Sequence, residues 1–247
     1  MKKLTVYLLF SLLLSISCFS ETLYAQSNLE STEGLSERKE GIIPIAAFTA
    51  QGDLDQLKVA LNDGLEAGLT INKIKEVIVH VNAYAGFPRS IRGLQTFMEV
   101  LDKREAEGID DEWGPEASPI DDHRDKYERG VETLYELTGA DWSHPERGYG
   151  AFSPEIDRVL KEHLFADLFE RDVLTYAERQ LTTISVLSSL DGLEPMLRSH
   201  FNISLNVGLK PGQLQHFVRI IESTLGEEKA RSASTILEKV LERRNQE

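Results

Sequence analysis

Residues 42–101 align without a gap on residues 182–241, at a constant offset of 140. Gly52, Leu57, Asn62, Leu65, Gly68, Leu69, Gly86, Val100 and Leu101 return as Gly192, Leu197, Asn202, Leu205, Gly208, Leu209, Gly226, Val240 and Leu241. Ile74 and Leu214, Ile78 and Val218, and Phe97 and Leu237 are conservative pairs in the same register. Glycines and core leucines held in one register are what a duplicated helical unit leaves behind. Two copies of one unit are expected to pack face to face. A polar residue present in only one copy then calls for its own explanation.

The periodicity is helical throughout. Asp53 precedes Leu54, Leu57, Ala60, Leu61 and Leu65 at helix spacing, and Gly68 ends the run. Thr70 is placed to cap a second helix with the stripe Ile71, Ile74, Val77, Ile78 and Val81, which Gly86 and Pro88 interrupt. Ile91, Leu94, Phe97, Met98 and Leu101 make a third. The segment 103–122 reads as a loop, followed by a helix from about His123 to Leu137 and another loop to Phe152. Ser153 and Pro154 open a helix through Leu168, with Ser153 as cap. Further helices are expected near 175–190, 194–206, 211–225 and 227–244. No stretch alternates with strand period for long, so the fold class is all-α.

The first residues read as an export signal. Lys2 and Lys3 precede the apolar run Leu4–Phe19, and Leu23-Tyr24-Ala25 ends in a small residue suited to cleavage. The expected divisions are a signal peptide (1–25), a flexible segment (26–41), a first repeat (42–102), a loop-rich helical insert (103–164) and a second repeat (165–247). Export to the periplasm or beyond follows, with lipid anchoring at Cys18 the lesser alternative. Cys18 is the only cysteine, so cleavage after Ala25 leaves no thiol and no disulfide. The formal net charge of −14 argues against nucleic acid and anionic lipid as partners.

Two stretches carry more than a helical pattern. One runs Leu65-Glu66-Ala67-Gly68-Leu69, Glu76-Val77-Ile78-Val79-His80 and Tyr84-Ala85-Gly86-Phe87-Pro88. The other runs Leu174-Thr175-Tyr176-Ala177-Glu178-Arg179, Leu197-Arg198-Ser199-His200 and Asn206-Val207-Gly208-Leu209. Together they resemble the carboxymuconolactone decarboxylase family, which shares its fold with the alkylhydroperoxidase D-like proteins. The resemblance implies two tandem helical repeats packed as an internal pseudo-dimer, and homo-oligomers of whole chains. One branch of that fold implies a thiol peroxidase. Glu76 matches its glutamate, but Pro88 and Ile91 stand at its cysteine positions and Gln95 at its histidine. Peroxidase activity is therefore not expected, since the thiolate is the nucleophile.

The decarboxylase branch implies a lyase without a cofactor, acting on a small carboxylated lactone or related organic acid. Such chemistry needs a cation for the carboxylate and a positioned proton donor in a dry site. Comparing the twins sharpens the candidates. His200 stands opposite Ala60, Glu178 opposite Arg38, His80 opposite Ile220 and Tyr84 opposite Thr224. Arg198 and Arg89 face Lys58 and Lys229. One composite pocket is expected, with His200, His80 and Glu178 as the catalytic group and Arg198, Arg89 and Tyr84 binding substrate. Arg89 or Arg198 would hold the carboxylate, a histidine would move the proton, and Glu178 would set its charge. The bland alternatives are core histidines bonded to carbonyls, and Glu178 with Arg179 capping a helix start. No metal site is expected, because Asp121, Asp122, His123 and Asp125 lack a second histidine at ligand spacing. Trp113 and Trp142 read as loop anchors. The rival function is a non-catalytic binding or structural protein on the same fold.

Overall fold

A computed structural model describes residues 34–246. The expected leader, its cleavage site and Cys18 lie outside the described residues. Among the described residues the chain forms eleven α-helices, one π-helical segment and no strand. The first repeat comprises α1 (Glu37–Gln51), α2 (Leu54–Glu66), α3 (Ile71–Ala85) and α4 (Phe87–Ala106). The insert holds α5 (Lys126–Thr138), α6 (Gly148–Phe152) and α7 (Pro154–Val159), which runs on into a π-helical segment, Leu160–Leu168. The second repeat comprises α8 (Tyr176–Ser189), α9 (Glu194–Asn206), α10 (Pro211–Leu225) and α11 (Glu227–Arg244). The offset of 140 carries both ends of α2 and α3 onto the ends of α9 and α10.

The caps explain the boundaries. Asp53 accepts from the Gln56 amide, and Thr70 accepts from that of Lys73. Thr175 and Glu178 form a reciprocal capping box at the start of α8. Gly86 and its twin Gly226 take φ values of 80° and 91° between consecutive helices, a region that favours glycine. Ser153 precedes α7 as expected but makes no side-chain cap; its hydroxyl bonds Glu155 instead.

The helix α1 is the main addition to the sequence reading. It begins inside the segment expected to be flexible. Its residues Ile42, Ile43 and Ile45–Ala50 are all buried, so no apolar stripe betrays it, and Pro44 lies in its interior. That burial has a cause: α1 packs along α8 at the centre of the molecule, each helix surrounded by both repeats. Around this pair α3 leans on α8 while α10, its twin, leans on α1. The reciprocal contacts define the internal pseudo-dimer. One hydrophobic core runs through both halves, from Ile42, Leu61 and Ile74 to Ile184, Phe201 and Phe217.

The insert breaks the symmetry. A second core joins Leu134 and Leu137 of α5 with Leu164, Phe165, Leu168 and Phe169, and packs against Val79, Ala83 and Tyr84 of α3. Gly130 lets α5 approach closely, since a Cβ there would stand 2.0 Å from the Lys161 carbonyl oxygen. The loop before α5 caps α3: the Ile71 and Asn72 amides donate to the carbonyls of Glu112 and Trp113, each at 2.9 Å. It is the Trp113 backbone that makes this contact; its side chain is 61% exposed, with Lys75 over the ring.

Candidate active site

Glu76, His80 and Tyr84 lie on successive turns of α3, four residues apart, and so share one face. That face meets Arg179 and Thr183, also one turn apart, on α8. The result is a continuous buried chain of polar groups. Arg179 Nη2 donates to Glu76 Oε1 at 2.8 Å and to the Arg171 carbonyl at 2.6 Å. Arg171 Nε lies 3.0 Å from both oxygens of the same carboxylate. Arg179 Nη1 is 3.3 Å from His80 Nδ1, and His80 Nε2 is 3.0 Å from Thr183 Oγ1. Thr183 Oγ1 in turn is 3.1 Å from the Tyr84 hydroxyl.

The directions of these bonds follow from what each group can do. A guanidinium only donates, so His80 Nδ1 accepts and its proton sits on Nε2, facing Thr183. The threonine hydroxyl then donates to Tyr84, whose own proton is left for a further acceptor. His200 of α9 completes the group, its ring 5.9 Å from that of Tyr84. Its Nδ1 lies 2.9 Å from Gln180 Oε1. With the amide oxygen facing the ring, the proton belongs on Nδ1, and Nε2 keeps its lone pair. Phe169, at the end of the insert, closes one wall at 5.3 Å from the His80 ring.

Electrostatics fix the protonation states. His80 is fully buried, and burial pushes its pKa well below the ordinary value; the Arg179 cation and the neighbouring His200 push the same way. His200 is half-buried as a residue, yet its imidazole lies deep enough that burial takes its pKa to about 4. Both rings are neutral at pH 7. Burial raises the Tyr84 phenol, so it keeps its proton. One carboxylate, Glu76, stands among two guanidinium groups, Arg171 and Arg179, which leaves the cluster with an excess of positive charge. Arg179 Nε and Gln180 Nε2 are buried donors with no partner in the protein.

These shifts make stability depend on pH. A histidine with a depressed folded pKa binds more protons when unfolded, so stability rises with pH between the two values. The contribution is complete above about 6.5 and falls away as pH drops toward about 4. Urea unfolding at pH 5 should give a free energy lower than at pH 7.5 by about 2 kcal/mol from His200, with His80 adding in the same direction. Equal stability at the two pH values would contradict neutral, buried imidazoles.

Of the six residues expected from the sequence, the structure brings three together: His80, Tyr84 and His200. The other three have other partners or surroundings. Glu178 spends its carboxylate on the cap of α8, accepting from the Thr175 amide at 2.8 Å and hydroxyl at 2.9 Å, and pairs with Lys73. Burial alone would raise its pKa, but the Lys73 and Thr175 bonds take it below the usual value. Arg198 is exposed on α9. Arg89 is exposed at the start of α4, with its guanidinium directly over Gly52. Glu76, Arg171, Arg179, Gln180 and Thr183 are the groups the twin comparison passes over. The signal for two of them was the spacing, Glu76 one turn before His80 and Arg179 one turn before Thr183. Elsewhere, Asp121 and His123 are almost fully exposed at 3.6 Å from each other. Among the described residues no group of three or more His, Cys, Asp or Glu is placed to hold a metal ion.

The duplication yields a single such site. At the offset of 140, Glu76, His80 and Tyr84 correspond to His216, Ile220 and Thr224, while Arg179, Thr183 and His200 correspond to Lys39, Ile43 and Ala60. His216 serves structure instead, accepting the Leu35 amide at 3.1 Å with Glu40 at 3.8 Å. The twin position holds none of the site's chemistry.

An all-α tandem repeat with a buried arginine–histidine cluster at its seam is one class of helical protein, and sequence comparison places it. The chain matches the carboxymuconolactone decarboxylase family over residues 22–97 and 154–239, one match per repeat. The protein belongs to that family. It is also similar to a 4-carboxymuconolactone decarboxylase of Acinetobacter baylyi (strain ATCC 33305 / BD413 / ADP1), with 31% identity over 78 residues. That alignment covers 32% of this chain and 58% of the relative, so the chain spans little over half the length of the curated relative it matches.

Proposed function

We propose that the protein is a cofactor-free carboxy-lyase acting on a small carboxylated lactone or related organic acid. The observation that carries this reading is the buried Arg179 guanidinium beside two neutral imidazoles and a neutral phenol. A carboxylate entering there meets the excess positive charge of the cluster and the unpaired donors Arg179 Nε and Gln180 Nε2. Loss of carbon dioxide leaves the electrons of the broken carbon–carbon bond on the substrate as an enolate or carbanion, which must take up one proton. The His80–Thr183–Tyr84 chain leaves the Tyr84 hydroxyl proton uncommitted within it, and Tyr84 is the proposed donor. Half-buried His200, with Nε2 free to accept, links the site to solvent. The apolar wall around Phe169 and Tyr84 keeps the charges strong by excluding water.

The activity for which the relative is named supports testing its substrate first. Carbon dioxide release from 4-carboxymuconolactone should exceed the no-enzyme control in proportion to protein concentration. Release no faster than the control would remove this substrate. A second reading, a non-catalytic member of the family, draws on the extent to which Glu76, Arg171, Arg179, His80, Thr183 and Tyr84 satisfy one another. It predicts no turnover with any related acid. We further propose that the chain is exported through its apolar amino-terminal segment. Among the described residues no helix is long and apolar enough to cross a membrane.

A further inference from the structure

The insert holds an open cavity of about 450 Å³ that shares no residue with the cluster at the seam. Its volume lies within the roughly 300–1,000 Å³ of ordinary ligand pockets. The walls come from the start of α5, the loop 143–146, and the helices α6 and α7. Pro145, Ala151 and Pro154 make them partly apolar. The floor is polar. There Asp157, 5% exposed, and Lys161, 1% exposed, form a buried ion pair one helical turn apart.

The donors and acceptors of that floor do not balance. Lys161 Nζ has three protons and three acceptors: Asp157 Oδ2 at 2.7 Å, the Trp142 carbonyl at 2.6 Å and the Tyr127 hydroxyl at 2.9 Å. Tyr127 donates its own proton to Asp157 Oδ2 at 3.0 Å. Both donors at the floor are therefore engaged. Asp157 Oδ2 accepts twice, whereas Oδ1 receives no hydrogen bond among the described residues. Gly150 keeps that oxygen uncovered, since a Cβ there would stand 3.0 Å from Oδ1 and 3.0 Å from Pro145. A buried carboxylate oxygen without a donor is costly, so the cavity calls for a donor from outside.

We propose that this cavity binds a small primary ammonium compound, its N–H groups donating to Asp157 Oδ1 and its carbon chain lying against Pro145, Ala151 and Pro154. Charge favours a cation. The Asp157 and Lys161 charges cancel, Arg158 on the rim pairs with Glu162 at 3.0 Å, and Glu146 on the rim is left over. The chain's net charge of −14 acts in the same direction. An anion would find no free donor at the floor. A neutral alcohol would bring one donor and no charge.

Titration of the ¹⁵N-labelled protein with butylammonium chloride at pH 7.5 and fixed ionic strength, followed by amide shifts, tests the site. The amides of Gly150, Ala151 and Asp157 should move together along one saturable curve, and sodium butyrate should leave them in place. Gly150→Ala sets a methyl group against Oδ1. It should weaken binding at least ~10-fold, the scale of a lost charge-assisted hydrogen bond, with circular dichroism unchanged. Glu146→Gln, on the exposed rim and away from the buried pair, should weaken binding roughly 2–5-fold. Butyrate moving the same amides as far, shifts that gather elsewhere or fail to saturate, or a Gly150→Ala protein binding as tightly as wild type would overturn the proposal.

Discussion

Glu76→Leu is expected to cost the fold about 3–5 kcal/mol, because it strands the Arg179 guanidinium without its counter-ion. Arg179 is fully buried, and Glu76 is 3% exposed. Desolvation already pulls the Arg179 pKa below its ordinary value, and the bond to Glu76 is the largest effect holding it up. The reverse change should be milder. Arg179→Met leaves Glu76 with Arg171, whose guanidinium reaches both carboxylate oxygens and is partly solvated. The double variant Glu76→Leu/Arg179→Met removes both charges and should recover more than half of the loss, the non-additivity expected of a coupled pair. Urea unfolding of the three variants at pH 7.5 measures all of this. A Glu76→Leu protein within about 1 kcal/mol of wild type would show that the pair is solvated rather than buried.

The same cluster shows how far residue order carries. The helices with one wet face, α2, α3, α9 and α10, are legible because their apolar residues recur at helix spacing. The helix α1 is not, because it is enclosed by both repeats and buried on nearly all sides, so it presents no period. The site divides along a similar line. His80, Tyr84 and His200 stand out because their twins are apolar or small, and the fold gathers them. Glu178, Arg198 and Arg89 differ from their twins Arg38, Lys58 and Lys229 only in the sign or kind of charge, and difference from a twin says nothing about direction. One residue along a helix is a turn of about 100°. That step puts Arg179 against His80 and leaves Glu178 in the cap. Two residues separate buried-side His200 from exposed Arg198 in the same way. Arg171 could not be found by pattern at all, since it reaches Glu76 from the turn after the insert.

The twins differ most at the seams between them. A duplicated unit pairing with itself would build two equivalent seams. Here one seam holds Glu76, His80, Tyr84, Arg179, Thr183 and His200, and the other holds His216, Ile220, Thr224, Lys39, Ile43 and Ala60. The second seam is tied down by the His216–Leu35 bond. On the proposed reading the halves divide the work: α3 of the first repeat would supply the acid and the relay, and α8 and α9 of the second the cation and the outer histidine.

We propose that the seam between α3, α8 and α9 is a decarboxylase site in which His200 handles protons. Its most direct test is carbon dioxide release from 4-carboxymuconolactone by wild type and by His200→Ala, with Arg198→Ala and Glu178→Gln beside them. His200→Ala should lower kcat by roughly 10²–10⁴-fold, the usual scale for losing a positioned proton-transfer group. Arg198→Ala should keep wild-type kcat, and Glu178→Gln should lose stability before turnover. Full turnover in His200→Ala, with activity lost instead in Arg198→Ala, would contradict it and move the site to the outer face of α9.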